Sequence, residues 1–227
     1  MISDRVKDFF GFFDISLERQ QALELLAQEA AYQAEGMTHL NDYLALAAIL
    51  EIAKPKMIFE IGTYKGVTSN FFLKVLPDCK VISIAYLNPK SRFFSKRFNN
   101  SELKIEEVGS MIDSQNKDRF IQVLGDSHSL IGQEMVKKFG PMDLIFIDGD
   151  HSKKGVAQDT RLAIEMTHQK STICWHDANP KEKYYPVRDY LENELEKPAI
   201  ATADDYIGGI ACWNIQIEEK LKKLKYA

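Results

Sequence analysis

The sequence predicts a doubly wound α/β fold, and three observations predict it. Six short apolar runs are separated by Gly, Asp and Asn, helical stretches follow them, and the runs are continuous rather than alternating. A strand wet on one face alternates apolar with polar residues, whereas a parallel strand covered on both faces is apolar along its length. The runs are MIFEI (57–61), KVISIAY (80–86), FIQVL (120–124), DLIFID (143–148), STICW (171–175) and GIACWNI (209–215).

Two helices precede the first run. Leu17, Leu23, Leu26 and Ala30 recur near the 3.6-residue period, and Leu40, Leu44, Ala47 and Leu50 do so again after the break at Gly36. The expected organisation is therefore a helical extension over 1–55, a candidate lid or dimer contact, followed by an α/β domain over 56–227. The long stretch 87–118, which holds SRFFSKRF, is expected to form a helix plus a covering loop. A chain of 227 residues is long enough for one sizeable core without staples.

Composition narrows the function. The chain is 45% hydrophobic and 27% charged, with 29 Lys+Arg against 33 Asp+Glu. Binding a nucleic-acid backbone needs clustered basic side chains, and only the short tail Lys220 to Lys225 offers them, so no nucleic-acid partner is expected. No apolar stretch approaches the ~20 residues that cross a bilayer, so no membrane partner is expected either. Cys79, Cys174 and Cys212 are isolated in apolar surroundings, which suits buried thiols in a reducing compartment and points to the cytoplasm.

In doubly wound sheets, ligands collect at the carboxyl ends of the strands, so the residues after each run carry the functional information. The first run ends in FEIGTYKGVTSNFF (59–72), a strand, a glycine turn and a helix. Gly62 allows positive φ or a close backbone approach, and Gly66 opens a helix whose free N–H groups attract an anion. The spacing is neither the dinucleotide G-x-G-x-x-G nor a P-loop, which weakens NAD and ATP as ligands. Glu60, just before the turn, would repel a pyrophosphate but accept a hydrogen bond from a cationic amine, so a zwitterionic ligand is favoured.

These residues resemble the class I S-adenosylmethionine-dependent methyltransferases. The resemblance implies a Rossmann-like, seven-stranded sheet whose last strand, GIACWNI, is antiparallel. It places Glu60 at the methionine amino group and Gly62, Tyr64, Gly66 and Thr68 around the turn. The family's usual ribose-binding acid at the end of the second strand is replaced by Ala85, with Tyr86 or Asn88 as substitutes. Asp126 and Ser127 in VLGDSHSL match the adenine side, although an Asp before a helical turn is also a common cap.

DLIFIDGDHS (143–152) puts Asp148 at the tip of the fourth strand, and STICWHDAN (171–179) puts His176 and Asp177 at the tip of the fifth. If those strands are neighbours, about 4.8 Å apart, Asp148 and Asp177 converge, and a hard divalent cation relieves their repulsion. F-I-D-G-D-H-S with W-H-D narrows the resemblance to bacterial small-molecule O-methyltransferases of the methyltransferase-24 type, and to metal-dependent sugar and catechol O-methyltransferases. The resemblance implies metal ligands Asp148, His176 and Asp177. Mg²⁺ is the default ion, and the imidazole of His176 admits Mn²⁺ or Fe²⁺. His151 stands where sugar-modifying relatives carry a histidine and is expected to act as the general base beside Asp148.

The expected function is metal-assisted O-methylation of a small-molecule hydroxyl. A catalytically silent module binding S-adenosylmethionine or S-adenosylhomocysteine is the alternative, motivated by Ala85 and His176; a metal-dependent hydrolase would leave the Glu60 turn unexplained. Tyr184, Tyr185 and Arg92 to Phe98 are candidates for a substrate wall. FFGFF near the N-terminus is a candidate homo-oligomer contact.

Overall fold

The computed structural model describes residues 15–86, 104–179, 186–195, 200–201 and 209–213. The candidate wall residues Arg92 to Phe98, Tyr184 and Tyr185 lie outside these, as do the ribose-side candidate Asn88, FFGFF and the basic tail.

Helix α1 (Leu17–Gln33) starts at Ser16, whose hydroxyl accepts from the Arg19 N–H, and α2 spans Leu40–Ala53. Strand β1 (Met57–Ile61) then leads through the glycine turn to α3 (Val67–Val75), followed by β2 (Lys80–Ala85) and β3 (Phe120–Leu124). Helix α4 (Gly132–Phe139), β4 (Met142–Ile147), α5 (Lys153–Met166) and β5 (Thr167–Trp175) complete the central part. Last come α6 (Val187–Asn193), β6 (Ile200–Ala201) and β7 (Ala211–Trp213). Of the stretch 87–118, expected to form a helix plus a covering loop, residues 87–103 lie outside the described residues, and 104–119 contain two short 3-10 turns, 105–107 and 114–119.

The sheet order is β3-β2-β1-β4-β5-β7-β6. Neighbours from β3 to β5 are parallel, and β7 runs antiparallel to both β5 and β6. The change of direction on either side of β1 is the switch point at which such sheets bind ligands. Six strands coincide with the six apolar runs; the two-residue β6 had no sequence signal, because so short a strand carries no period.

Side chains alternate across the sheet, and both faces are covered. Ile58, Val81, Leu144, Phe146 and Cys174 pack under α1, α2 and α3. Phe59, Ile61, Ile82, Ile145, Ile147, Ile173 and Trp175 pack under the helices of the other face. Double coverage removes the polar positions and explains why the strands read as continuous apolar runs. Trp175 is fully buried, its indole N–H donating to the Thr160 hydroxyl at 2.9 Å.

The N-terminal helices belong to this core. Every residue of α2 from Asp42 to Leu50 is buried, because α1 covers one side while α3 and the sheet cover the other. The three cysteines are buried and free, and among the described residues no helix is long and apolar enough to cross a membrane.

Arg119 stitches the far end of α3. Its guanidinium donates to the carbonyls of Leu73, Leu76 and Cys79 and to the Asn116 side chain, at 2.7 to 3.1 Å. The last carbonyls of a helix have no partner within it, so these bonds satisfy groups that would otherwise need water. Arg119→Ala is expected to cost about 2 kcal/mol, the scale of charge-assisted hydrogen bonds, measured by urea denaturation. An unchanged midpoint would show that solvent serves these carbonyls equally well.

Candidate active site

The glycine turn is held by backbone geometry. Gly62 has φ of 111°, and its N–H donates to the Ile84 carbonyl at 3.0 Å. A Cβ at this position would stand 2.1 Å from the carbonyl oxygen of Asp148, so only glycine allows the β1 and β4 tips to approach. Tyr64 also has positive φ, at 46°, and Gly66, at 86°, caps α3.

The other residues of this region divide into those at the surface of the turn and those beneath it. Tyr86, directly after β2, is 57% exposed, while Ala85, the last β2 residue, is buried and pairs with Leu124. Asp126 caps the short turn 127–129 by accepting from the His128 N–H at 2.9 Å. Ser127 donates to Asp159 at 2.7 Å. Thr68 turns toward the N-terminal helices, its hydroxyl 3.2 Å from that of Tyr43.

Glu60 lies beneath the turn. It is 1% exposed, and its carboxyl accepts from the hydroxyls of Ser69 on α3 and Ser83 on β2. Burial pushes its pKa up to about 8, only partly opposed by the two hydroxyls. A carboxyl whose folded pKa exceeds its unfolded one lends stability that is complete below about pH 4.5 and is lost as pH rises through about 8. Glu60→Gln is expected to flatten the fall in melting temperature between those values; a variant with the wild-type slope would show that the loss arises elsewhere.

The tips of β4 and β5 bring together four groups. Asp148, His151, His176 and Asp177 each present a donor atom, and these atoms all lie within 4.8 Å of one another. Adjacent parallel strands supply two of the positions, since β4 and β5 pair up to Ile147 opposite Trp175. Asp148 follows directly on one strand, and His176 and Asp177 on the other. His151 comes from the turn before α5, which Ser152 caps by accepting from the Gly155 N–H at 3.0 Å. Asp177 has φ of 56°, and the Ala178 N–H that follows it donates to Gly209 at 3.0 Å. Lys153, which opens that helix, pairs with Asp189 and Glu194 at 3.2 and 2.8 Å.

Electrostatics ties the four together. His151 Nε2 is 3.1 Å from Asp148 Oδ1 and 3.0 Å from Asp177 Oδ2. His176 Nδ1 is 3.0 Å from Asp148 Oδ1 and 3.6 Å from Asp177 Oδ2. Burial alone would lower the His151 pKa, but hydrogen bonds to the two carboxylates outweigh it and raise the pKa to about 9. Burial likewise opposes the charge on His176, yet the charges of Asp148 and Asp177 hold it well above its ordinary value. For Asp177, burial acts upward, and the charge on His176 with the bonds from both imidazoles overrides it, holding the acid far below the carboxylate range. Two acids this close need positive charge between them, and here the imidazoles supply it.

Asp42, on the first turn of α2, was not among the sequence candidates. It is fully buried, with Oδ2 3.3 Å from His176 Nε2, and its Oδ1 accepts from the Gly209 N–H at 2.9 Å. An acid in the first turn of a helix reads as an ordinary partner of the helix dipole. The available signal was its place in an otherwise apolar stretch, LNDYLALAAIL.

A glycine turn thus stands at the switch point of a Rossmann-like sheet, beside a cluster of two acids and two imidazoles. The chain belongs to the methyltransferase domain family, whose model matches residues 59–178, more than half of its 227 residues. Solved structures share the fold at low identity. The O-methyltransferase of Bacillus cereus, in complex with S-adenosylhomocysteine, is 18% identical, with a TM-score of 0.52 over 85% of this chain and 90% of that one. The O-methyltransferase TomG of Streptomyces achromogenes, in complex with S-adenosylmethionine, is 14% identical, with a TM-score of 0.54 over 83% and 89%. MycE, of the mycinamycin biosynthetic pathway, in complex with Mg, S-adenosylhomocysteine and mycinamycin VI, is 11% identical; its TM-score is 0.53 over 83% of this chain and 53% of that one. No curated protein matches the sequence.

Proposed function

We propose that this protein is an S-adenosylmethionine-dependent O-methyltransferase that acts on a small-molecule hydroxyl with the help of a divalent cation. The observation that carries the reading is the convergence of Asp148, His151, His176 and Asp177 beside the glycine turn. Family membership and the cofactor-bound solved structures of the same fold support it.

In this reading Gly62, Tyr64 and Gly66 receive the methionine end of the cofactor, and Tyr86 takes the ribose side at the exposed end of β2. Asp126 and Ser127 flank the adenine. Glu60 and Thr68 support the turn from beneath through Ser69, Ser83 and Tyr43, with Glu60 on the side of the methionine amino group.

The donor set fits a divalent cation. Carboxylate oxygens and an imidazole nitrogen suit Mg²⁺, Mn²⁺ or Fe²⁺, and Asp148, His176 and Asp177 would hold it. When bound, such an ion polarises an acceptor hydroxyl and stabilises the oxygen anion that develops on it. His151 balances the two acids in the ion-free site. Were an ion to meet the charge of the two acids, His151 Nε2 would be the group placed to take the hydroxyl proton. The acceptor oxygen forms its bond to the methyl carbon as the sulfur–carbon bond breaks, so alignment by the turn and the cluster supplies much of the rate.

Calorimetry with S-adenosylhomocysteine and Mn²⁺, together with methyl transfer to a panel of phenols, sugars and hydroxylated natural products, tests the proposal. Binding of both ligands with metal-dependent turnover is expected. Cofactor binding without turnover on any acceptor would favour the silent module instead, and absence of cofactor binding would sink both.

A further inference from the structure

We propose that Asp42 is a positioning residue of the cation site: it fixes the His176 ring so that Nδ1 faces the two acids and Nε2 carries the proton. The inference rests on the metal-assisted reading above and adds to it a residue from the N-terminal helices.

The geometry of the Asp42 carboxylate supports this role. Oδ1 accepts from the Gly209 N–H at 2.9 Å. Oδ2 accepts from the His39 N–H at 3.2 Å and lies 3.3 Å from His176 Nε2. A carboxylate can only accept, so a ring nitrogen facing one donates, and in the ion-free site both do: Nε2 toward Asp42 and Nδ1, 3.0 Å away, toward Asp148. A cation held by the two acids would take the place of the Nδ1 proton, and Asp42 would keep the remaining proton on Nε2. A metal-binding histidine commonly has its other ring nitrogen held in this way, which sets both tautomer and ring angle.

Capping α2 does not account for the arrangement. A first-turn acid that serves its own helix can stand in solvent, whereas Asp42 is fully buried and also grips the chain just before β7. It therefore joins three separate segments: the start of α2, Gly209 and the β5 tip at His176. The ring is also seated against Phe146, with centroids 6.2 Å apart, so the aspartate and the aromatic restrict it from two directions.

The test uses full-length protein, with Mn²⁺ titrated calorimetrically into wild type and Asp42→Asn, and ¹⁵N ring spectra of His176 recorded with and without Mg²⁺. His176→Gln assigns the signal. Wild type is expected to show a protonated Nε2, with Nδ1 shifted by the ion. Asp42→Asn is expected to bind Mn²⁺ about 10–100-fold more weakly, to lose the Nε2-protonated signature, and to keep its affinity for S-adenosylhomocysteine. Equal Mn²⁺ affinity in the two proteins, or a Mg²⁺-loaded wild type whose His176 carries its proton on Nδ1, would overturn the role given to Asp42. The wild-type spectrum decides the matter even if the variant does not fold. A wild type that binds neither ion overturns the metal-assisted reading itself and this inference with it, an outcome separable from a failure of Asp42 alone.

Discussion

Replacing Asp148 or Asp177 by Ala is expected to cut methyl transfer by at least about 10²–10³-fold, the scale of removing one preorganised group that meets developing charge. S-adenosylhomocysteine should still bind, because the glycine turn contacts β4 through the main chain of Asp148 rather than its carboxylate. The two acids lie on either side of His151 Nε2, at 3.1 and 3.0 Å, so losing either removes half of the charge that collects positive groups there. Both variants should also lose the response to added Mn²⁺ in calorimetry. Turnover that survives both substitutions in the presence of a chelator would remove metal assistance from the mechanism.

Gly62→Ala is expected to have the second large effect, and on a different property. The residue sits at φ of 111°, where an L side chain is strained, and the added carbon would fall 2.1 Å from the Asp148 carbonyl oxygen. Relief requires the β1 and β4 tips to separate, yet Asp148 N–H donates to the Ile61 carbonyl at 2.8 Å, and Gly62 N–H to Ile84 at 3.0 Å. A loss of about 4 kcal/mol is expected, in the range reserved for strain at a special backbone position combined with core disruption. Because the turn and the acid cluster share this contact, cofactor affinity and the cation site should fail together. A variant that melts at the wild-type temperature and binds S-adenosylhomocysteine normally would show that the two tips do not depend on one another.

The parts of the site that were legible in the sequence are those carried by short segments. Gly62 and Gly66 announce a turn because glycine is the residue that takes positive φ freely, and both adopt it. Asp148, His151, His176 and Asp177 were legible because they stand at or within a few residues of the end of an apolar run, and the end of such a run is the end of a strand. Glu60 was legible on its strand, and its depth was not. Strand alternation shows which face a side chain takes, and the burial of that face depends on Ser69 and Ser83, which come from other elements. The length of the stretch 87–118 suggested a helix plus a covering loop, but length carries no register, and the two short turns at 105–107 and 114–119 had no sequence signal of their own.

What the sequence determined by itself is the ladder of strands, the glycine turn and the chemical identity of the groups at the strand tips. Those properties depend on period, φ and neighbours along the chain. What only the tertiary structure decided is which of those groups meet. Asp42 and His176 are 134 residues apart, and nothing local to either one encodes the other. Their contact arises because a helix apolar on every side must be buried, and burying α2 against the sheet brings the single acid of its first turn to the tip of β5.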